Sequence, residues 1–314
     1  GKYRMSRITG KTAALACALA ATFAAGALAE TPAEMFARPV EYGDATLSPT
    51  GEYVAVTTPF EDRRALSIIK LSGNYDRSLI KFDAKERPYN PVWTDDSRII
   101  IEKVKDYGYV GSLLRTGNIY AANADASKQV ELFGYRPDQG NVRSRVKDEG
   151  TATLMRLLPG TKGEALFYYQ PWSSTMHNSK SITSVFRVDT YTGTRNQIAT
   201  FPDNVGVVAD NAGIVRFVWT TDLAGKQVVR YRRLASDAEL VPVPADLAGS
   251  QLNFSYFEPD NNHVYAFISE HGEPATLYRV ALAEGTRERV AGNPTMDVST
   301  ILPSGYMGNP FAVG

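Results

Sequence analysis

Short apolar runs recur along the chain, and each is entered directly from a cluster of turn-forming residues. Ser48-Pro49-Thr50-Gly51 leads into Tyr53-Val54-Ala55-Val56, and Asp95-Asp96-Ser97 leads into Ile99-Ile100-Ile101. Residues 159–163 lead into Ala165-Leu166-Phe167-Tyr168, Asp210-Asn211-Ala212-Gly213 into Ile214-Val215, and residues 258–262 into Val264-Tyr265-Ala266-Phe267. Pro, Gly, Asn, Asp and Ser turn the backbone, while the β-branched and aromatic residues behind them favour strands. Further short strands follow inside each unit: 65–71 and 78–82, then 118–121 and 129–133, then 185–189 and 197–199, then 227–231, then 276–280 and 287–290. The units repeat every 45 to 65 residues or so, close to the length of one propeller blade.

Four short antiparallel strands per unit is the plan of a blade, so the pattern predicts an all-β fold, a β-propeller with five recognisable blades. Met296-Asp297-Val298-Ser299-Thr300-Ile301-Leu302 starts a partial sixth. The expected organisation is a propeller over residues 44–302 and a tail at 303–314 that reads as truncated, because an open blade edge leaves backbone groups and apolar side chains unpaired. Before the propeller, residues 30–43 form a leader with a short helix at 32–36, for which Thr31 is the N-cap, Pro32 suits the first turn and Glu34 completes the capping pattern.

Residues 1–29 have the form of a secretory signal. Arg4, Arg7 and Lys11 precede an Ala/Leu-rich core from Thr12 to Gly26, and Ala27-Leu28-Ala29 is a small-residue cleavage site ahead of Glu30. The core is shorter and poorer in strongly apolar residues than the ~20 a membrane span needs, so cleavage between Ala29 and Glu30 is expected rather than anchoring. The predicted location is therefore the periplasm or beyond, with no membrane attachment after cleavage. Cys17, the single cysteine, falls inside this segment. Disulfides, thiolate metal sites and a cysteine nucleophile are excluded from the mature chain. Without residues 1–29 the charge is 30 basic against 34 acidic residues with no basic stripe, which argues against nucleic acid as a partner.

Several elements appear in a specific order. They are Phe36-Ala37-Arg38-Pro39; Leu47-Ser48-Pro49-Thr50-Gly51-Glu52-Tyr53; Pro91-Val92-Trp93-Thr94-Asp95-Asp96; Val188-Asp189-Thr190-Tyr191-Thr192-Gly193; and Leu277-Tyr278-Arg279-Val280 with Asp297-Val298-Ser299. Together they resemble the N-terminal propeller of bacterial secreted serine peptidases of the prolyl oligopeptidase family, the dipeptidyl aminopeptidase and acylaminoacyl-peptidase kind. The resemblance implies an α/β-hydrolase domain as covalent partner, absent from these residues, and peptides as substrates. It also implies that the propeller gates access to the hydrolase. No catalytic residue carries over: no serine here has glycine two residues before it, as Gly-x-Ser-x-Gly requires. No Glu-Glu pair is present to hold a peptide amino terminus. The competing reading is a stand-alone TolB-like periplasmic propeller that binds a protein partner.

Candidate chemistry within the chain is sparse. His177, His263 and His271 are far apart in sequence and read as surface or turn histidines. Asp95-Asp96 and Asp260-Asn261-Asn262 lack the ligand series of a calcium loop and read as turn formers. No cofactor is implied. Tyr168-Tyr169 with Pro171-Trp172, and residues 254–257, are aromatic clusters suited to packing between blades or to lining a channel. The Gly/Tyr-rich loop at 107–112, with Tyr107 and Tyr109, is the candidate exposed contact.

Overall fold

The computed structural model describes residues 42–314 except 84, 107–112, 136–147, 173–180, 204 and 304–309. The predicted signal, its cleavage site at Ala29 and Glu30, and the leader helix lie outside the described residues. So do Tyr107, Tyr109 and His177.

The described residues form five four-stranded antiparallel sheets, each a simple meander in chain order. Blade one holds β1 (Gly43–Leu47), β2 (Tyr53–Phe60), β3 (Arg63–Lys70) and β4 (Arg77–Ile80). Blade two holds β5 (Glu86–Asp95), β6 (Arg98–Asp106), β7 (Leu113–Asn123) and β8 (Val130–Phe133). Blade three comprises β9 (Gly150–Leu157), β10 (Glu164–Pro171), β11 (Ile182–Asp189) and β12 (Arg195–Pro202). Blade four comprises β13 (Gly206–Ala209), β14 (Val215–Thr221), β15 (Gln227–Tyr231) and β16 (Val241–Pro242), followed by the one-turn helix α1 (Ala245–Ala248). Blade five is β17 (Gln251–Phe257), β18 (His263–Ser269), β19 (Thr276–Ala281) and β20 (Thr286–Ala291). A sixth, two-stranded sheet pairs β21 (Ile301–Pro303) with β22 (Pro310–Val313). No helix among the described residues is long and apolar enough to cross a membrane.

Each turn-plus-run signal of the sequence marks the hairpin between the first and second strands of a blade. The runs are continuous because both faces of a blade are covered. Ile99 and Ile101 of β6 pack toward blade one with Leu66, Ile68 and Ile80, while Ile100 between them packs toward blade three with Phe133 and Phe167. The same arrangement joins blade three to four through Val185, Val207 and Val215, and blade four to five through Phe217, Tyr231, Phe257 and Val264. Phe217 stacks on Phe254 with ring centroids 3.6 Å apart. Burying such side chains is worth about 1.5–3 kcal/mol each, so the inter-blade layers hold most of the fold's stability.

Polar side chains from the turns then fasten neighbouring blades. Thr50, in the first turn of blade one, donates to Asp96 Oδ1 of blade two from its backbone N–H at 2.8 Å and its hydroxyl at 2.7 Å. Tyr191 of blade three donates to Asp95 of blade two, and the Asn211 backbone N–H of blade four donates to Asn261 Oδ1 of blade five at 2.8 Å. Two fully buried arginines act as bolts at the entry to second strands. Arg98 donates to the carbonyls of Thr190, in the next blade, and Lys128, and to Asn123 Oδ1, with its guanidinium over the Tyr191 ring. Burial pulls the Arg98 pKa down to about 10, still far above neutrality, so it stays charged. Arg216 pairs with Asp210 at 3.2 Å and donates to the Asn261 carbonyl of blade five at 2.6 Å.

Replacing Arg98 with Met strips donors from buried carbonyls at the joint between blades two and three, and should lower unfolding free energy in urea by roughly 3 kcal/mol. Breaking the exposed Arg63–Asp62 pair should change it by less than about 0.5 kcal/mol. Equal effects of the two substitutions would show that the buried bolt contributes nothing special.

Candidate functional site

The first strands of the blades meet around a cavity of about 320 Å³. Val92 comes from β5, Leu154, Met155, Arg156 and Leu157 from β9, and Tyr256 from β17, while Pro159 and Asn211 come from the first turns of blades three and four. Four blades thus contribute to one space, which is what radial sheets produce at their axis.

Bulges decide which side chains reach it. Every pairing between a first and a second strand carries a register shift, in all five blades. In β9 the pairing jumps from Arg156 to Leu154, leaving Met155 as the extra residue, and in β17 it jumps from Tyr256 to Phe254, leaving Ser255. A bulge turns the following side chain to a new direction. Phe254 and Phe257 accordingly pack toward blade four, whereas Tyr256 packs toward the sixth sheet and lines the cavity.

Three polar groups stand on this otherwise apolar wall. Asn211 is buried and anchored: its Nδ2 donates to the Glu258 carbonyl at 2.8 Å, and its Oδ1 accepts from the Arg156 guanidinium. Arg156 also lies over the Phe257 ring, 6.0 Å from its centroid. The Tyr256 hydroxyl is buried with no hydrogen-bond partner among the described residues. Its pKa is raised first by burial and also by the charge of Glu258, against an opposing pull from Arg156, so the phenol is a neutral O–H donor at physiological pH.

A second cluster sits on the adjoining turn of blade five. Glu258 receives Arg279 Nε at 2.6 Å and Nη2 at 2.7 Å, and that pairing chiefly holds its carboxyl below the ordinary range. Asp260 Oδ1 accepts from the backbone N–H groups of Asn262 and His263, both at 3.0 Å, and its Oδ2 lies 2.5 Å from His263 Nδ1. Glu258, Asp260 and His263 come close enough together to suggest a metal site, yet each is already engaged in fastening the turn. His271 is exposed in the turn between β18 and β19. Of the aromatic clusters, Tyr168 and Tyr169 pack between blades, Trp172 is half exposed, and Tyr256 alone of residues 254–257 lines the cavity. Arg156 and Asn211 were not singled out as site residues from the sequence.

No family model matches the chain. No curated protein matches it in sequence. Among solved structures, a prolyl endopeptidase superposes with a TM-score of 0.52 at 7% identity, covering 84% of this chain and 38% of that one. The fold that the two share is a β-propeller. The propeller domain of the Trilobed protease from Pyrococcus furiosus is similar at TM-score 0.45 and 11% identity, over 83% of this chain and 76% of that one. TolB from Acinetobacter baumannii is similar at TM-score 0.39 and 12% identity, over 81% of this chain and 55% of that one. The chain thus spans about half the length of TolB and well under half that of the endopeptidase.

The Glu258–Arg279 pair gives a pH signature with a definite sign. A carboxyl whose folded pKa is depressed adds stability above its unfolded pKa and loses it as pH falls through the folded value. Glu258→Gln should therefore flatten the decline of the urea midpoint between about pH 5 and pH 3. An acid limb identical to that of the unsubstituted chain would show that Glu258 titrates alike in both states.

Proposed function

We propose that this chain is the substrate-admitting propeller of an exported serine peptidase of the prolyl oligopeptidase type, with no catalysis of its own. The observation that carries the reading is the axial cavity, lined by residues of four latched blades within a fold that superposes on part of a prolyl endopeptidase. A peptidase active site open to all comers would attack folded neighbours. A narrow route along the axis of a propeller admits extended peptides and excludes domains.

The sequence agrees with a division of labour. It offers no Gly-x-Ser-x-Gly turn and no paired His and nucleophile, so hydrolysis is assigned to a hydrolase domain beyond these residues. The signal-like residues 1–29 support export to the periplasm or outside the cell.

A fluorophosphonate probe, which acylates activated serines, tests this on the protein isolated from its source with an antibody against the propeller. The captured protein should be labelled on a serine outside this sequence, and the purified 314-residue chain should remain unlabelled. Labelling of the chain itself, or none on the captured protein, contradicts the proposal.

A further inference from the structure

We propose that the axial cavity is a side-chain pocket, taking one uncharged aliphatic side chain of an extended peptide. Its lining gathers at one end of the axis. Val92, the run from Leu154 to Leu157, and Tyr256 come from the second halves of β5, β9 and β17, while Pro159 and Asn211 come from the turns that follow the first strands of blades three and four. The volume of about 320 Å³ is room for roughly ten water molecules, which one side chain and its flanking peptide groups can replace.

The wall sets the class of ligand. Val92, Leu154, Met155, Leu157 and Pro159 line the cavity and are each only half-buried, so a ligand that covers them removes apolar surface from water and gains in proportion to the area. The Tyr256 hydroxyl is itself buried, so this residue presents its ring rather than its polar tip. Arg156, the one charged lining residue, is already engaged with Asn211 and over the Phe257 ring, and the nearby acids are paired, Glu258 with Arg279 and Asp210 with Arg216. A charged side chain entering here would lose water without gaining a counter-ion, which favours neutral ones.

The backbone supplies the rest. β9 and β17 are edge strands of their sheets, and each carries N–H and C=O groups with no strand partner on its open side. An extended peptide can lie along such an edge and direct alternate side chains into a pocket. Met155, the extra residue of the β9 bulge, has an unbranched side chain that adjusts to aliphatic groups of different shape.

A peptide segment and a small neutral molecule with an aliphatic arm offer the same chemistry. The peptide source rests on the peptidase reading above, whereas the pocket does not; titration of the purified chain and serine labelling of the captured protein can fail separately.

Calorimetric titration of the purified chain with acetyl-Ala-X-Ala-amide, where X is Leu, Gly, Lys or Glu, tests the pocket, and N-acetyl-leucinamide tests the source. The Leu peptide should bind roughly tenfold or more tightly than the Gly peptide, and more tightly than the Lys and Glu peptides. Its affinity should hold as salt is raised, because no ion pair forms. Val92→Phe adds bulk to the wall and should abolish the preference for Leu over Gly, while Met155→Leu, close in volume, should keep it. If Val92→Phe melts well below the unsubstituted chain, Met155→Phe makes the same test. Tighter binding of the Leu peptide than of N-acetyl-leucinamide identifies a peptide segment as the ligand; equal affinity identifies a small neutral molecule and leaves the pocket standing. Equal affinity for the Leu and Gly peptides, tightest binding of the Lys or Glu peptide, no binding of the Leu peptide at millimolar concentration, or an unchanged Leu preference in the filled variant overturns the proposal.

Discussion

Blades two to five of this protein each have two apolar faces and bury them against what lies on either side. That constraint explains the order of events from sequence to site. A sheet packed on one side would alternate apolar and polar residues, whereas a sheet packed on both sides reads as an unbroken apolar run, and Ile99-Ile100-Ile101 serves two different inter-blade layers with three consecutive residues. Hydrophobic burial of this kind is strong but indifferent to small rotations of one sheet on the next. Directionality comes from the turns, where Thr50, Asp96, Tyr191, Asn211 and Asn261 bind across the joints and two buried arginines thread donors into the backbone of the following blade.

Turn residues therefore do two jobs. Asp210 folds its own turn by accepting from the backbone N–H groups of Ala212 and Ile214, and it pairs with the Arg216 bolt as well. Asp95 fastens the backbone of Ser97 and receives Tyr191 from the next blade. A local signal chosen for backbone geometry thus becomes part of the long-range assembly. The axial cavity inherits its rigidity from these joints, since Asn211 is at once a first-turn residue, a link between blades and the group that fixes Arg156.

What the sequence made legible follows from the same physics. The turn-plus-run units located the second strand of every blade, because two-sided burial and turn chemistry both leave marks in consecutive residues. The first strands were harder to read: all five are bulged against their partners, and an extra residue destroys the alternation by which a strand is recognised. Arg98 and Arg216 look like ordinary surface charges in the sequence, and only the arrangement of neighbouring carbonyls makes their burial tolerable. The cavity was illegible for a related reason. Its residues are of common types, contributed one or a few at a time by four blades, and Tyr256 differs from its neighbours Phe254 and Phe257 only through the bulge at Ser255. Of the strand expected over 296–302 in the partial sixth unit, only Ile301 and Leu302 lie in β21, and β22, which Pro310 opens, was not anticipated.

Native-state hydrogen exchange tests the mutual dependence of the blades most directly. The backbone amides of β2, β6, β10, β14 and β18 are predicted to exchange through one common opening, with the same free energy and the same denaturant dependence. Separate tiers, with each blade opening at its own free energy, would contradict the account and show that the blades stand independently of their neighbours.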